Sequence, residues 1–124
     1  MAPPRAPSGR RTAQQQLGAL GEARALAHLS AHGLQLVERN FRCKVGEIDL
    51  IMRHGARLVF VEVRRRAPSA FGGAAASVTA AKQQRLIRAA QTYLLRYRPA
   101  PPCRFDLVAI DGENLSWMQN IIEM

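Results

Sequence analysis

The chain is predicted to fold as an α/β domain, a mixed central sheet flanked by helices in the order α-β-β-β-α-β-β. Three observations carry this prediction. Two Ala- and Leu-rich segments space their apolar residues as helices do, and five short segments rich in Val, Ile, Leu and Phe have strand character. The second helical segment stands between the third and fourth strands, where such a connection favours parallel neighbours and a right-handed crossover. The 124 residues, 48% hydrophobic and 22% charged, suffice for one domain with one core and exclude a disordered chain, a collagen, a coiled coil or a disulfide scaffold.

Residues 1–11, MAPPRAPSGRR, mix Pro, Arg, Ser and Gly without periodicity and read as a disordered basic N-terminal tail, leaving 12–124 as a single domain. The first helix spans Thr12 to His32, with Thr12 placed to cap its start and Gly33 to close it. Leu34 to Cys43, Val45 to Arg53 and Arg57 to Arg65 read as strands. His54, Gly55 and Ala56 separate the last two, the spacing of a tight hairpin. The small-residue run from Arg66 to Ser77, with Pro68 and Gly72-Gly73, reads as a mobile loop. A second helix from Ser77 to Arg98 carries Leu86, Ile87, Ala90, Tyr93, Leu94 and Tyr97 as its apolar stripe and is ended by Pro99. Its other face holds Arg85, Arg88, Gln91, Thr92 and Arg96. Cys103 to Asp111 and Asn114 to Ile122 form a closing strand pair around the turn DGEN.

Eighteen Lys and Arg against nine Asp and Glu give a net charge of +9, and only Lys44 and Lys82 are lysines. Arginine meets phosphate through a planar fork, so the composition favours a polyanionic partner, nucleic acid before any other. A solvated Arg-rich surface would show the same composition. Cys43 and Cys103 are too few and too far apart for a disulfide framework or a metal clip and are expected as core thiols in a cytoplasmic protein. No stretch approaches the roughly 18 apolar residues of a membrane span, so no membrane partner is expected.

The chemistry concentrates between Gly46 and Arg66. A two-residue turn at Gly55-Ala56 puts glycine at the first central position, as a type II′ turn requires, and sets Asp49 opposite Glu62 and Glu47 opposite Arg64. A turn at His54-Gly55 would make the acid pair diagonal. Strand alternation then places Ile48, Leu50 and Met52 on one apolar face with Val59, Val61 and Val63. Two carboxylates across a strand pair repel, so Asp49 and Glu62 call for a positive group between them or for separate ion pairs with nearby arginines. A divalent cation with a taste for hard oxygens, Mg2+ or Mn2+, is the first answer. Glu47 is expected to pair with Arg64. Glu22 shares a helix face with Ala25, Leu26 and Leu29 and so points toward the sheet, either as a third ligand or as the margin of an apolar stripe. His28 and His32 lie on another face and read as surface residues, as does His54 in the turn. Gly72-Gly73 matches no phosphate-cradling motif.

The run GEARALAHLSAHGLQLVERNFRCKVGEIDLI, followed by LVFVEVRRR, FGGAAASVTAAKQQRL and CRFDLVAI, resembles the YraN-like family of small bacterial proteins from Leu17 to Met124. That family is similar in fold to the PD-(D/E)XK nuclease superfamily of restriction-endonuclease-like and Holliday-junction-resolvase-like enzymes. The resemblance implies a restriction-endonuclease-like αβββαβ core whose hairpin acids hold the metal. Carried onto this chain, it places the first acid at Asp49, the second at Glu62, the lysine position at Arg64, the helix glutamate at Glu22 and a supporting polar residue at Gln83. Arg64 departs from the pattern, because arginine can stabilise charge on phosphorus but cannot give up a proton to act as a base. Lys82 is a second candidate for the missing lysine.

Two functions of different class are expected. One is a Mg2+- or Mn2+-dependent endonuclease acting on DNA, branched or damaged DNA included. In it Asp49, Glu62 and Glu22 serve the metal, Arg64 stabilises charge, and Arg65, Arg66, Lys82, Gln83, Arg85 and Arg88 grip the backbone. The other is a non-catalytic nucleic-acid-binding protein that keeps the nuclease fold, which Arg64 favours. A homodimer is implied only by analogy with junction-binding relatives.

Overall fold

The computed structural model describes residues 12–66 and 79–122. The basic tail and nearly all of the loop read over Arg66 to Ser77 lie outside the described residues, as does the side chain of Arg66. Helix α1 (Ala13–Ala31) starts at Thr12, whose hydroxyl accepts from the Gln15 N–H while the Gln15 side chain accepts from the Thr12 N–H, a reciprocal cap. It ends where Gly33 turns to a φ of 93°, so that Leu34 N–H reaches the Leu29 carbonyl and Gly33 N–H the Ser30 carbonyl, each at 3.1 Å. Both ends fall where the sequence signals put them.

Strands β1 (Gln35–Cys43), β2 (Gly46–His54), β3 (Arg57–Arg66), β4 (Cys103–Asp111) and β5 (Asn114–Met118) lie side by side in chain order. Only β3 and β4 run parallel, joined by helix α2 (Ala80–Leu94), and the other neighbours are antiparallel. The sheet is therefore mixed and helix-flanked, with the expected αβββαβ core and one further strand.

Each helix covers one face. Ala25 and Leu29 of α1 pack over Leu50, Met52, Val59, Val61, Val108 and Ile110. On the opposite face Leu86, Ala89, Ala90 and Tyr93 of α2 pack over Ile51, Leu58, Phe60 and Phe105. The middle strands bury both faces, which is why LVFV in β3 reads as a continuous apolar run rather than an alternation. Tyr93, 2% exposed, anchors the α2 layer with its ring 5.2 Å from Phe41 and 6.1 Å from Phe60. Arg96 lies over the Tyr93 ring at 4.0 Å and pairs with Glu38 at 3.5 Å, so this cation of the second helical segment is spent on packing.

Three expectations need correction. Ile48 packs into the α2 layer, not with Leu50 and Met52, because regular pairing gives way at Asp49. Helix α2 stops at Leu94, and the Leu95, Arg96 and Tyr97 N–H groups turn back to carbonyls three residues earlier, a tightened final turn well before Pro99. Strand β5 ends at Met118, because Asn120 takes a φ of 57° and its N–H goes to Asp106, which sends Ile122 into the α2 layer.

Candidate metal and phosphate site

The hairpin of β2 and β3 turns at Gly55-Ala56, with Gly55 at a φ of 65°, and pairs His54 with Arg57 through to Leu50 with Val61. One step further the backbone ladder is replaced by a side chain. The Val63 N–H donates to Asp49 Oδ2 at 2.8 Å, and the Asp49 and Glu62 carboxyls hydrogen-bond to each other. Glu62 is 6% exposed. Burial first, then the negative charge of Asp49, pushes its carboxyl up to about 8, against the pull of Arg64. Burial also raises Asp49, partly offset by the Val63 N–H. The repulsion expected across the strands is met by the hydrogen bond between the two acids, both of which burial pushes toward the protonated form.

Arg64, two residues along the same face of β3, places Nη2 on Glu62 Oε2. The expected Arg64–Glu47 pair does not form. The cross-strand neighbour of Glu47 on the other side is Arg42 of β1, and those two pair at 3.5 Å on an exposed rim. Arg64 Nε, by contrast, is buried without a hydrogen-bond partner among the described residues.

Glu22 reaches the same end of the sheet from α1. Burial and then the charge of Asp49 raise its carboxyl, while Arg39 and a hydrogen bond from the Asn40 amide lower it. Asn40 sits in β1 between the residues paired with Ile48 and Leu50, at a φ of 53°. Sequence reasoning missed this residue. The available signal was an asparagine inside a strand, a type that strands disfavour and that tolerates the left-handed region.

Asp49, Glu62 and Arg64 form part of the wall of a cleft of about 550 Å³ whose cations among the described residues are Arg42, Lys44, Arg64, Lys82 and Arg85. Arg42 and Lys44, at the turn joining β1 to β2, were also missed. Treating Lys44-Val45 as a two-residue turn between Cys43 and Gly46, which do pair, would have found them. The cleft is closed on one side by close packing, since a Cβ on Gly46 would stand 2.8 Å from the Arg85 carbonyl oxygen of α2. Of the other expected phosphate contacts, Arg65 lies on the α1 face with its stem against Gly21, Gln83 is half-buried and Arg88 is exposed one turn beyond Arg85. His28 and His32 stack with ring centroids 4.4 Å apart and pack edge-on against Trp117, a role in packing between α1 and β5.

Among the described residues no three His, Cys, Asp or Glu side chains close into a ready-made cation cage. Mg2+ and Mn2+ do not need one, because they take one or two carboxylates and complete their shell with water and phosphate oxygens. Two hard-oxygen acids that must otherwise hold a proton to coexist fit such an ion. No helix among the described residues is long and apolar enough to cross a membrane.

Residues 21–110 match the profile of the family described as "Uncharacterised protein family UPF0102". The chain is similar to a UPF0102 protein of Janthinobacterium sp. (strain Marseille), 60% identical over 113 residues that cover 91% of this chain and 92% of the relative. It is 58% identical over 113 residues to one from Herminiimonas arsenicoxydans, covering 91% of each chain. A third, from Cupriavidus pinatubonensis (strain JMP 134 / LMG 1197), is 57% identical over 119 residues, 95% of this chain and 93% of that one. With its profile matched across most of the domain and these identities over nearly the whole length of each relative, the chain belongs to the UPF0102 family.

Proposed function

We propose that this protein is a Mg2+- or Mn2+-dependent endonuclease that hydrolyses phosphodiester bonds in DNA. The observation that carries the reading is the buried Asp49–Glu62 carboxyl pair in the wall of a cation-lined cleft. A pure backbone binder gains nothing from acids set against phosphates, whereas a divalent cation needs them. Asp49 and Glu62 would hold the ion, and Glu22, whose carboxyl feels the charge of Asp49, would hold a metal water. The bound ion would supply charge neutralisation at the phosphate and an acidified water. The chain's own part is to keep the two acids dry and oriented, to balance Glu62 with Arg64, and to draw the DNA backbone in with the cations around the cleft. Such contacts position DNA without reading sequence, and binding weakens steeply with salt.

The test is incubation of labelled duplex, flap and four-way-junction DNA with and without Mn2+, beside Glu62→Ala. Metal-dependent products are expected from the wild type, with a loss of about 10³-fold in the variant. The Arg64–Glu62 ion pair favours a second reading, a non-catalytic DNA-binding protein in which Arg64 permanently occupies the acid. Retarded bands without cleavage in any metal would select it.

A further inference from the structure

We propose that Lys82, rather than Arg64, is the cation that contacts the phosphate of a nucleic acid bound in the cleft, Arg64 being the standing counter-charge of Glu62. The inference rests on the reading of the cleft as a phosphodiester site.

Among the described residues five cations line the cleft, and their commitments differ. Arg42 is paired with Glu47, and Arg64 with Glu62. With Glu62 ionised in the working cleft, turning the Arg64 guanidinium to a phosphate would break a buried ion pair, an exchange that low-dielectric surroundings oppose. Lys44 and Arg85 are exposed on the cleft wall, where they can meet the DNA backbone. Lys82 combines the remaining properties. It is half-buried, its ammonium makes no ion pair with any described residue, and its positive charge acts on Glu62.

Its placement is fixed as well. The Lys82 N–H donates to the Thr79 hydroxyl at 3.3 Å in the first turn of α2, and the helix is seated on β2 by the contact of Gly46 with the Arg85 carbonyl. An ammonium is a compact point charge on a flexible stem. It can follow a non-bridging phosphate oxygen as negative charge grows there, which a guanidinium tied to Glu62 cannot do without breaking that pair.

Steady-state cleavage of labelled DNA in Mn2+ by the wild type, Lys82→Gln and Lys82→Arg tests the assignment, with circular dichroism to confirm that the variants fold. Lys82→Gln should lose about 10²-fold in kcat with KM and the Mn2+ requirement little changed, and Lys82→Arg should recover part of the loss. Wild-type cleavage matched within about twofold by Lys82→Gln, against that expectation, overturns the assignment and leaves the nuclease reading intact. Should the wild type yield no product in any metal, the nuclease reading falls, and Lys82 is judged by binding alone. A slope of log affinity against log salt shallower by about one unit in Lys82→Gln then supports a phosphate contact, and an unchanged slope overturns it.

Discussion

Asp106 and Glu62 are buried acids on neighbouring parallel strands, a single register step apart, and their surroundings are opposite. Asp106, 1% exposed, is saturated with donors. Its Oδ1 accepts from Arg104 Nε and the Asn120 N–H, each at 3.0 Å, and its Oδ2 from Arg104 Nη2 at 3.1 Å and Trp117 Nε1 at 2.9 Å. The rings of His28 and His32 pack against that tryptophan. Glu62 faces another acid, and Arg64, its one ionic partner among the described residues, keeps a buried Nε with no acceptor among them. A carboxylate wrapped in donors and sealed by rings holds the fold together. One that must keep a proton at the wall of an open cleft is costly as it stands and is suited to a cation that the chain does not itself supply.

Substitution should destabilise the domain at Asp106 and, at high pH, stabilise it at Glu62. Asp106→Asn leaves the Arg104 guanidinium, itself 8% exposed, without its counter-charge and should destabilise the domain by about 3 kcal/mol in urea unfolding. A loss below about 0.5 kcal/mol, the size of an ordinary surface change, would make the donor shell ornamental. At Glu62 the effect depends on pH and is smaller only when taken over a single pH unit. Its folded value of about 8 lies above the ordinary 4.5, so between those values the folded chain holds a proton that the unfolded chain has released. The contribution is therefore full below pH 4.5 and lost as pH rises through 8, so metal-free stability should fall by about 1 kcal/mol per pH unit across that window. Glu62→Gln should flatten this slope and be the more stable protein at pH 8. Equal slopes in the two proteins would show that the acids do not share a proton.

Much of this was legible before the structure. A glycine able to take positive φ at Gly55 and an alternation of apolar residues were enough to bring Asp49 opposite Glu62, because a two-residue turn leaves hairpin register little freedom. Glu22 was legible for a similar reason, since its helix face is set by Ala25 and Leu29. The Arg42–Glu47 pair escaped because Lys44-Val45, one step from it, was not read as a two-residue turn. The other contacts that escaped depend on departures from regularity. Ile48 changes face because the Asp49 side chain takes a backbone donor, a local substitution that no periodicity announces. Strand β5 ends early because Asp106 captures the Asn120 N–H, a contact fourteen residues distant.

On the proposed function the Asp49–Glu62 pair would exchange its proton for a divalent cation. Calorimetric titration of Mn2+ into the metal-free protein at pH 7, repeated in buffers of different ionisation enthalpy, measures that exchange directly. The wild type should bind Mn2+ at one site with release of about one proton, and Glu62→Gln should bind far more weakly with no proton released. Equal Mn2+ affinity and proton release in both proteins, or no binding by the wild type, would contradict the account.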